Sequence, residues 1–370
     1  MMSRNRRLLA ILAFTLLIGA CAGGTSETTA TTEATATTEA TATTEATATT
    51  EAATTTTEAD DGLPEGNLSF KMGHVSTGSI YDQVPVITNA RLNEQGWAVE
   101  DVYFARTELT PQALAQNNIQ IAIELYLEPL RTIAAGGDDP KIQFVMENNG
   151  SEFVIVTRSE LPTCADLDGM RFGIHGEAST VSIAAVDFLT NECGIAPEIL
   201  VIPGGENRII ALENDELDAT IVQLGDFLAL EAVAEPGKYV ILDAGDAMAV
   251  TSGAGYFANT DWVAENREVA VAYIGELLRT YQMIRDDPSI LADSIRANVD
   301  VPAETIDAAV ALYLDPAVVN LAPENGGSPD AVQATIDYFT PDELDEGMDV
   351  NNFYDPALVE EAIAWLAANP

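Results

Sequence analysis

A chain of 370 residues with 47% hydrophobic side chains is long enough for one large or two medium globular domains, each with a sizeable core. Its 59 Asp and Glu stand against 16 Lys and Arg, a formal net charge of -43. So acidic a surface repels phosphate backbones and anionic headgroups, which argues against nucleic acid as a partner and against membrane binding through a basic patch.

Arg4, Arg6 and Arg7 precede an apolar run from Leu8 to Ile18, and Gly19, Ala20 and Cys21 follow. A basic start, an apolar run too short to span a bilayer and small residues at the cut predict a signal peptide over residues 1–20. Ile18-Gly19-Ala20-Cys21 resembles a bacterial lipobox, which implies that Cys21 is the lipidated first residue of the mature protein; a plain secreted protein is the alternative. No later run is long and apolar enough for a transmembrane helix. Residues 21–66 are then an anchored Cys followed by a Thr/Ala/Glu tether, whose "TATTEA" unit sets Glu33, Glu39, Glu45 and Glu51 six apart. That spacing fits neither a helical face nor a strand, so the segment reads as a self-repelling coil. Roughly 40 such residues would hold a domain on the order of 35 Å from its anchor.

From Asn67 short apolar runs alternate with helical periods. "LSFKMGHV", "VEDVYF", "IQIAIE", "KIQFVMEN" and "SEFVIVTR" read as strands, and "SIYDQVPVITNARLNEQG", "TPQALAQNN" and "YLEPLRTIAAGG" as helices. The pattern restarts with strand "MRFGIH", helix "ASTVSIAAVDFLTNECG", strand "EILVIP", helix "NRIIALENDELD" and strands "ATIVQL" and "YVILDA". A long helix, "NREVAVAYIGELLRTYQMIRDDP", opens a mainly helical C-terminal third. Strand-helix alternation predicts an α/β protein of two lobes, each a mainly parallel sheet flanked by helices. The expected division is 67–155 for the first part of lobe 1, 156–255 for lobe 2, and 256–370 for the return to lobe 1 and the C-terminal helices.

Cys164 precedes the strand at "MRFGIH" and Cys193 closes the helix after it. A helix crossing back over a sheet ends near that strand's start, so a Cys164–Cys193 disulfide is expected in an oxidising exterior, with two separate buried thiols as the alternative. With two His and no CxxC pair, no metal site is expected. "GAGYFA" matches a dinucleotide-binding pattern but does not open a helix, so no nucleotide cofactor is expected. No G-x-S-x-G elbow or other catalytic cluster is present, and no catalytic residue is assigned.

Six segments in order, "GHVSTGSIYDQVPV", "GWAVEDVYFA", "QALAQNNIQIAIE", "CADLDGMRFGIHGEAST", "ENRIIALENDELDATIVQ" and "NNFYDPALVEEAIAWL", resemble the extracellular solute-binding proteins of ABC importers. The resemblance covers about residues 67–368 and is closest to the nitrate/taurine/sulfonate class, which also holds thiamine-precursor and riboflavin binders. It implies a two-lobed, type II periplasmic-binding-protein-like fold hinged between its lobes. It also implies a monomer that captures a small molecule, passes it to an ABC permease and sits on the outer face of the cell membrane through a lipid anchor. One departure from the family pattern is the acidic pair in "IAIELYLEPLRTI".

In open α/β sheets ligands bind beyond the carboxyl ends of strands, where unpaired N–H groups of helix starts point outward. In lobe 1 these positions hold His74, Ser76, Thr77, Ser79, Tyr81, Glu124 and Tyr126. In lobe 2 they hold His175, Gly176, Glu177, Ser179, Thr180, Gly205, Asn207, Gln223 and Asp226. Ser179 and Thr180 equally fit a helix cap, and either His a proton switch or a satisfied core residue. Glu124, Glu177, Glu206 and Asp226 against Arg208 alone lean the ligand toward a neutral or cationic heterocycle of pyrimidine or flavin type. The alternatives are a sulfonate- or nitrate-type anion binder, a ligand-sensing lipoprotein for a receptor partner, and an exported enzyme.

Overall fold

The computed structural model describes residues 64–370, apart from 65, 76–78, 105, 138, 245–252, 300 and 341–342. The expected signal peptide, Cys21 and nearly all of the tether lie outside the described residues, as do Ser76 and Thr77.

The chain opens with β1 (Ser69–His74), α1 (Gln83–Glu94), β2 (Ala98–Tyr103), α2 (Leu109–Ala115), β3 (Ile121–Leu125), α3 (Leu127–Gly136) and β4 (Ile142–Asn149). It crosses to β5 (Phe153–Arg158), β6 (Arg171–Ile174), α4 (Thr180–Asp187), β7 (Glu198–Val201), α5 (Gly205–Glu213), β8 (Ala219–Gln223), α6 (Leu224–Val233) and β9 (Tyr239–Leu242). It then returns as β10 (Ala254–Asn259), followed by α7 (Thr260–Glu265), α8 (Arg267–Asp286), α9 (Ser289–Asn298), α10 (Ile306–Leu314), α11 (Asp330–Phe339) and α12 (Pro356–Ala368).

Local chemistry sets these boundaries. All five residues of β3 are buried, as a strand covered on both faces requires. Gly137, at φ 62°, stops α3. Asp355 accepts from the Ala357 N–H and so caps α12, with Pro356 at its first position. Along α8, Val269, Tyr273, Leu277, Tyr281 and Ile284 recur at helical spacing and are buried, packed against α1 and α12.

Two five-stranded sheets define the lobes, in the order β2-β1-β3-β10-β4 and β7-β6-β8-β5-β9. The pairings β1–β2, β1–β3, β6–β7 and β6–β8 are parallel, whereas β10 and β5 run antiparallel to both of their neighbours. Each sheet is therefore mainly parallel, as expected, and mixed by one strand. The cause is the crossing. A strand arriving from the other lobe enters at the edge where its neighbours end, so it must run away from that edge. The crossings fall between β4 and β5 and between β9 and β10.

One hydrophobic cluster is continuous through both sheets, with Met72, Val84 and Tyr256 on one side and Ile155, Phe172 and Ile221 on the other. A second lies on the opposite face of the first sheet, around Tyr126, Leu130, Phe144, Phe257 and Ile336. The glycines of "GAGYFA" belong to that packing: a Cβ on Gly255 would lie 2.7 Å from the Met146 carbonyl oxygen, and one on Gly253 would lie 2.9 Å from the Tyr126 ring. The helix expected through residue 194 ends as α4 at Asp187 and continues as a π-helical turn, Phe188–Glu192. Just beyond it Cys193 forms a disulfide with Cys164, Cα to Cα 6.0 Å. Among the described residues no helix is long and apolar enough to cross a membrane.

Candidate functional site

Residues next to the helix starts that follow β1, β3, β6 and β8 meet at the seam between the lobes, and hydrogen bonds cross it. Gln223, at the end of β8, donates from Nε2 to Ser79 Oγ in lobe 1 at 3.3 Å and to Glu152 at 3.2 Å. Thr180, the first residue of α4, donates its backbone N–H and its hydroxyl to Glu128 of α3, at 3.2 and 2.5 Å. Arg131, one turn further along α3, donates to the Ala178 carbonyl at 3.0 Å. Tyr338 of α11 donates to Asp187 of α4 at 2.8 Å. Two lobes touching through the starts of their helices is the arrangement in which a small molecule would be enclosed.

The expected contacts divide into those that reach this seam and those that turn inward. Ser79, Gln223, Ser179 and Thr180 are at it. Ser179 occupies the N-cap position of α4 without a capping side-chain bond. His175 and Gly176 form the turn before α4, where their N–H groups meet Ser182 Oγ at 3.2 and 3.5 Å. His175 Nδ1 accepts from the Gly204 N–H at 3.4 Å, joining two loops of lobe 2. Burial, followed by the Arg208 charge, lowers its pKa, so its ring is neutral at pH 7. Glu177 is exposed.

Asp226, in the first turn of α6, sits against Gly205 and close to Arg208. Burial raises its pKa and the Arg208 guanidinium opposes that. Arg208, the one cation expected near a ligand, is 3% exposed and spends its donors on the carbonyls of Ile221, Ile202 and Gly204. Through Nε and Nη1 it ties α5 to the sheet and to the loop before it. Asn207, in the first turn of α5, donates to the Pro203 carbonyl of the loop before it, at 2.8 Å.

Tyr126 turns inward, away from a ligand contact, and His74 takes the core alternative. His74 is fully buried, with Nδ1 at 3.3 Å from Asp82 and Nε2 at 2.8 Å from Asp101, and it stacks on Tyr103. Burial alone would lower its pKa; the hydrogen bonds and charges of Asp101 and Asp82 outweigh it and raise the value to about 9. The ring is an imidazolium brace inside lobe 1, with both nitrogens engaged. Tyr126 lies in the second core cluster, edge-on to Phe144 and Phe257, its hydroxyl 3.3 Å from the Ala254 carbonyl. Tyr81 is buried and its carbonyl accepts from Asn148.

Glu124 is 1% exposed, and only one of its oxygens has a partner, the Leu125 N–H at 3.1 Å. Burial pushes its pKa well up, with the Glu128 charge adding to the shift. Glu152, between β4 and β5, was not read as a site residue. It is equally buried, holds one unpartnered oxygen, and is raised to about 8, chiefly by burial. Its sequence signal is an acid in an otherwise apolar strand start, "SEFVIV". Glu128 and Arg131 were also missed as contacts, although the acidic pair of "IAIELYLEPLRTI" had marked the first. Among the described residues no group of three or more His, Cys, Asp or Glu is placed to hold a metal ion.

With this geometry in hand, the relatives are informative. The family model "NMT1/THI5 like" matches residues 92–290. No curated protein sequence matches the chain. Among solved structures it is similar to the ligand binding component of an ABC-type import system from Staphylococcus aureus, with TM-score 0.62 and 16% identity over 80% of this chain and 98% of that one. It is also similar to the aliphatic sulphonate binding protein SsuA from Escherichia coli, with TM-score 0.60 and 15% identity over 78% and 92%. For the nitrate-binding protein NrtA from Synechocystis PCC 6803 the TM-score is 0.63, with 15% identity over 82% and 90%. A family match spanning more than half of the sequence, on two mixed sheets that meet along one seam, means that this chain belongs to the NMT1/THI5-like family and has the two-lobed fold of periplasmic binding proteins.

Proposed function

We propose that the chain is the extracytoplasmic substrate-binding component of an ABC importer, closing its two lobes over a small organic molecule and delivering it to a membrane permease. The observation that carries this reading is the seam itself: loops from strand ends of both lobes meet there, and Gln223–Ser79 and Thr180–Glu128 bridge it. The roles of the Staphylococcus, Escherichia and Synechocystis proteins support the same class. A ligand that touches both lobes binds the closed state better and shifts the population toward it. The mature chain would be a monomer held to the outer face of the membrane by a lipid on Cys21.

For the ligand we favour a neutral or cationic heterocycle of pyrimidine or flavin type. Glu124, Glu128, Glu152 and Asp82 are each buried at or near the seam, and Arg208 has Nε and Nη1 taken up by carbonyls. Sulfonate or nitrate is the second reading, supported by what SsuA and NrtA are named for.

A thermal-shift panel on the full chain with pyrimidines, flavins, polyamines, betaines, sulfonates and nitrate tests both. A ligand present at 100 times its dissociation constant stabilises by about 2.7 kcal/mol. A saturable shift with a heterocycle is the expected result; one with nitrate or a sulfonate favours the second reading, and silence across the panel counts against the importer role. Recovery of the Cys21→Ser protein in the membrane fraction, unchanged, would refute the lipid anchor.

A further inference from the structure

The start of α4 has the properties of an anion seat. Its first N–H groups have no partner inside the helix, and the helix dipole places partial positive charge there. The helix supplies nothing of its own to satisfy that end: Ser179 makes no side-chain cap and no acid lies in the first turn. The occupant comes instead from the other lobe. Glu128, 52 residues earlier and 4% exposed, places one oxygen 3.2 Å from the Thr180 N–H and the other 2.5 Å from its hydroxyl. Arg131, on the same helix, grips the Ala178 carbonyl two residues before Thr180.

We propose that Glu128 is the specificity-determining residue of the seam: a built-in carboxyl group that fills the α4 N-terminus when the lobes meet and so excludes oxyanion ligands. The exclusion is by occupation: an oxyanion would need the Thr180 N–H and hydroxyl that Glu128 already holds. A neutral or cationic molecule does not compete for those donors. This inference rests on the reading of the seam as the ligand cleft. It adds which side chain decides the sign of the charge admitted there.

The test is a gain of binding. The full chain and its Glu128→Ala and Glu128→Gln variants are titrated calorimetrically with nitrate and with methanesulfonate, using chloride at equal ionic strength as the reference, after circular dichroism has shown that each is folded. Ala vacates the seat, whereas Gln keeps its volume and removes its charge. The expected result is no saturable binding to the unsubstituted chain and at least a tenfold gain in one or both variants, larger for Ala. Tight oxyanion binding by the unsubstituted chain overturns the proposal and leaves the importer reading intact. A panel hit with the unsubstituted chain but no gain in either variant overturns it in the same way. No response by any of the three proteins to any compound would defeat both readings together.

Discussion

His74 holds its proton because Asp82 and Asp101 flank it, and that arrangement makes stability depend on pH in a defined window. A pKa raised from 6.5 to about 9 contributes stability that is fully present below pH 6.5 and lost as pH rises through about 9. The amount is on the order of 3 kcal/mol, from about 1.4 kcal/mol for each unit of pKa difference. Glu152 acts with the same sign in a lower window. Raised from 4.5 to about 8, it favours the folded state below pH 4.5 and loses that contribution as pH rises through about 8. Urea unfolding between pH 5 and 9 should therefore show stability falling with pH. His74→Gln should flatten the curve above pH 6.5, and Glu152→Gln should flatten it between 4.5 and 8. Parallel curves for all three proteins would contradict both assignments. That His74 faces inward was not legible in its own neighbourhood, because the carboxylates that decide it stand 8 and 27 residues away in sequence.

At the scale of elements, strands and helices were legible wherever an apolar run was bounded by polar or glycine residues, as at β1, β6 and α3. They were not legible where two elements join without a break. β8 ends at Gln223 and α6 begins at Leu224, so "ATIVQLGDFLALEAV" reads as one apolar run and the helix passes unnoticed. The loops of the site followed from a rule of topology, but which side chain crosses to the other lobe did not, since Glu128 meets Thr180 only after both lobes have folded. The disulfide illustrates the opposite case, a long-range contact readable from connectivity. Cys164 opens a short 3-10 turn before β6, and Cys193 ends the π-helical turn after α4, so the bond closes the strand-helix unit on itself. Removing it as Cys164→Ser/Cys193→Ser frees a 29-residue separation in the unfolded chain and should cost about 3.6 kcal/mol in the chain-entropy picture. Chemical unfolding of the oxidised and double-substituted proteins would measure this; equal midpoints would mean that packing alone fixes the unit.

Among the described residues two sheets are joined by the crossing at 150–152 and by the return from β9 to β10, with a continuous apolar core through both and polar bridges across the seam. That division of labour suits a hinge. On that reading apolar packing would keep the lobes attached, while hydrogen bonds worth about 1 kcal/mol each would decide whether the far side of the seam is shut. Arg131 and Tyr338 make two of these bridges outside the carboxyl cluster, to Ala178 and Asp187. Arg131→Ala combined with Tyr338→Phe removes about 2 kcal/mol from the closed state alone, a shift of roughly 30-fold in the closed-to-open ratio. Apparent affinity falls as the closed, binding-competent fraction falls. Solution X-ray scattering of the double variant should therefore show a larger radius of gyration without ligand, returning to the unsubstituted value when ligand saturates. Its dissociation constant should rise while the bound form is unchanged. Weaker binding with no change in radius would instead place Arg131 and Tyr338 among the ligand contacts, and the hinge would then have to be closed by the carboxyl and amide bridges of the seam alone.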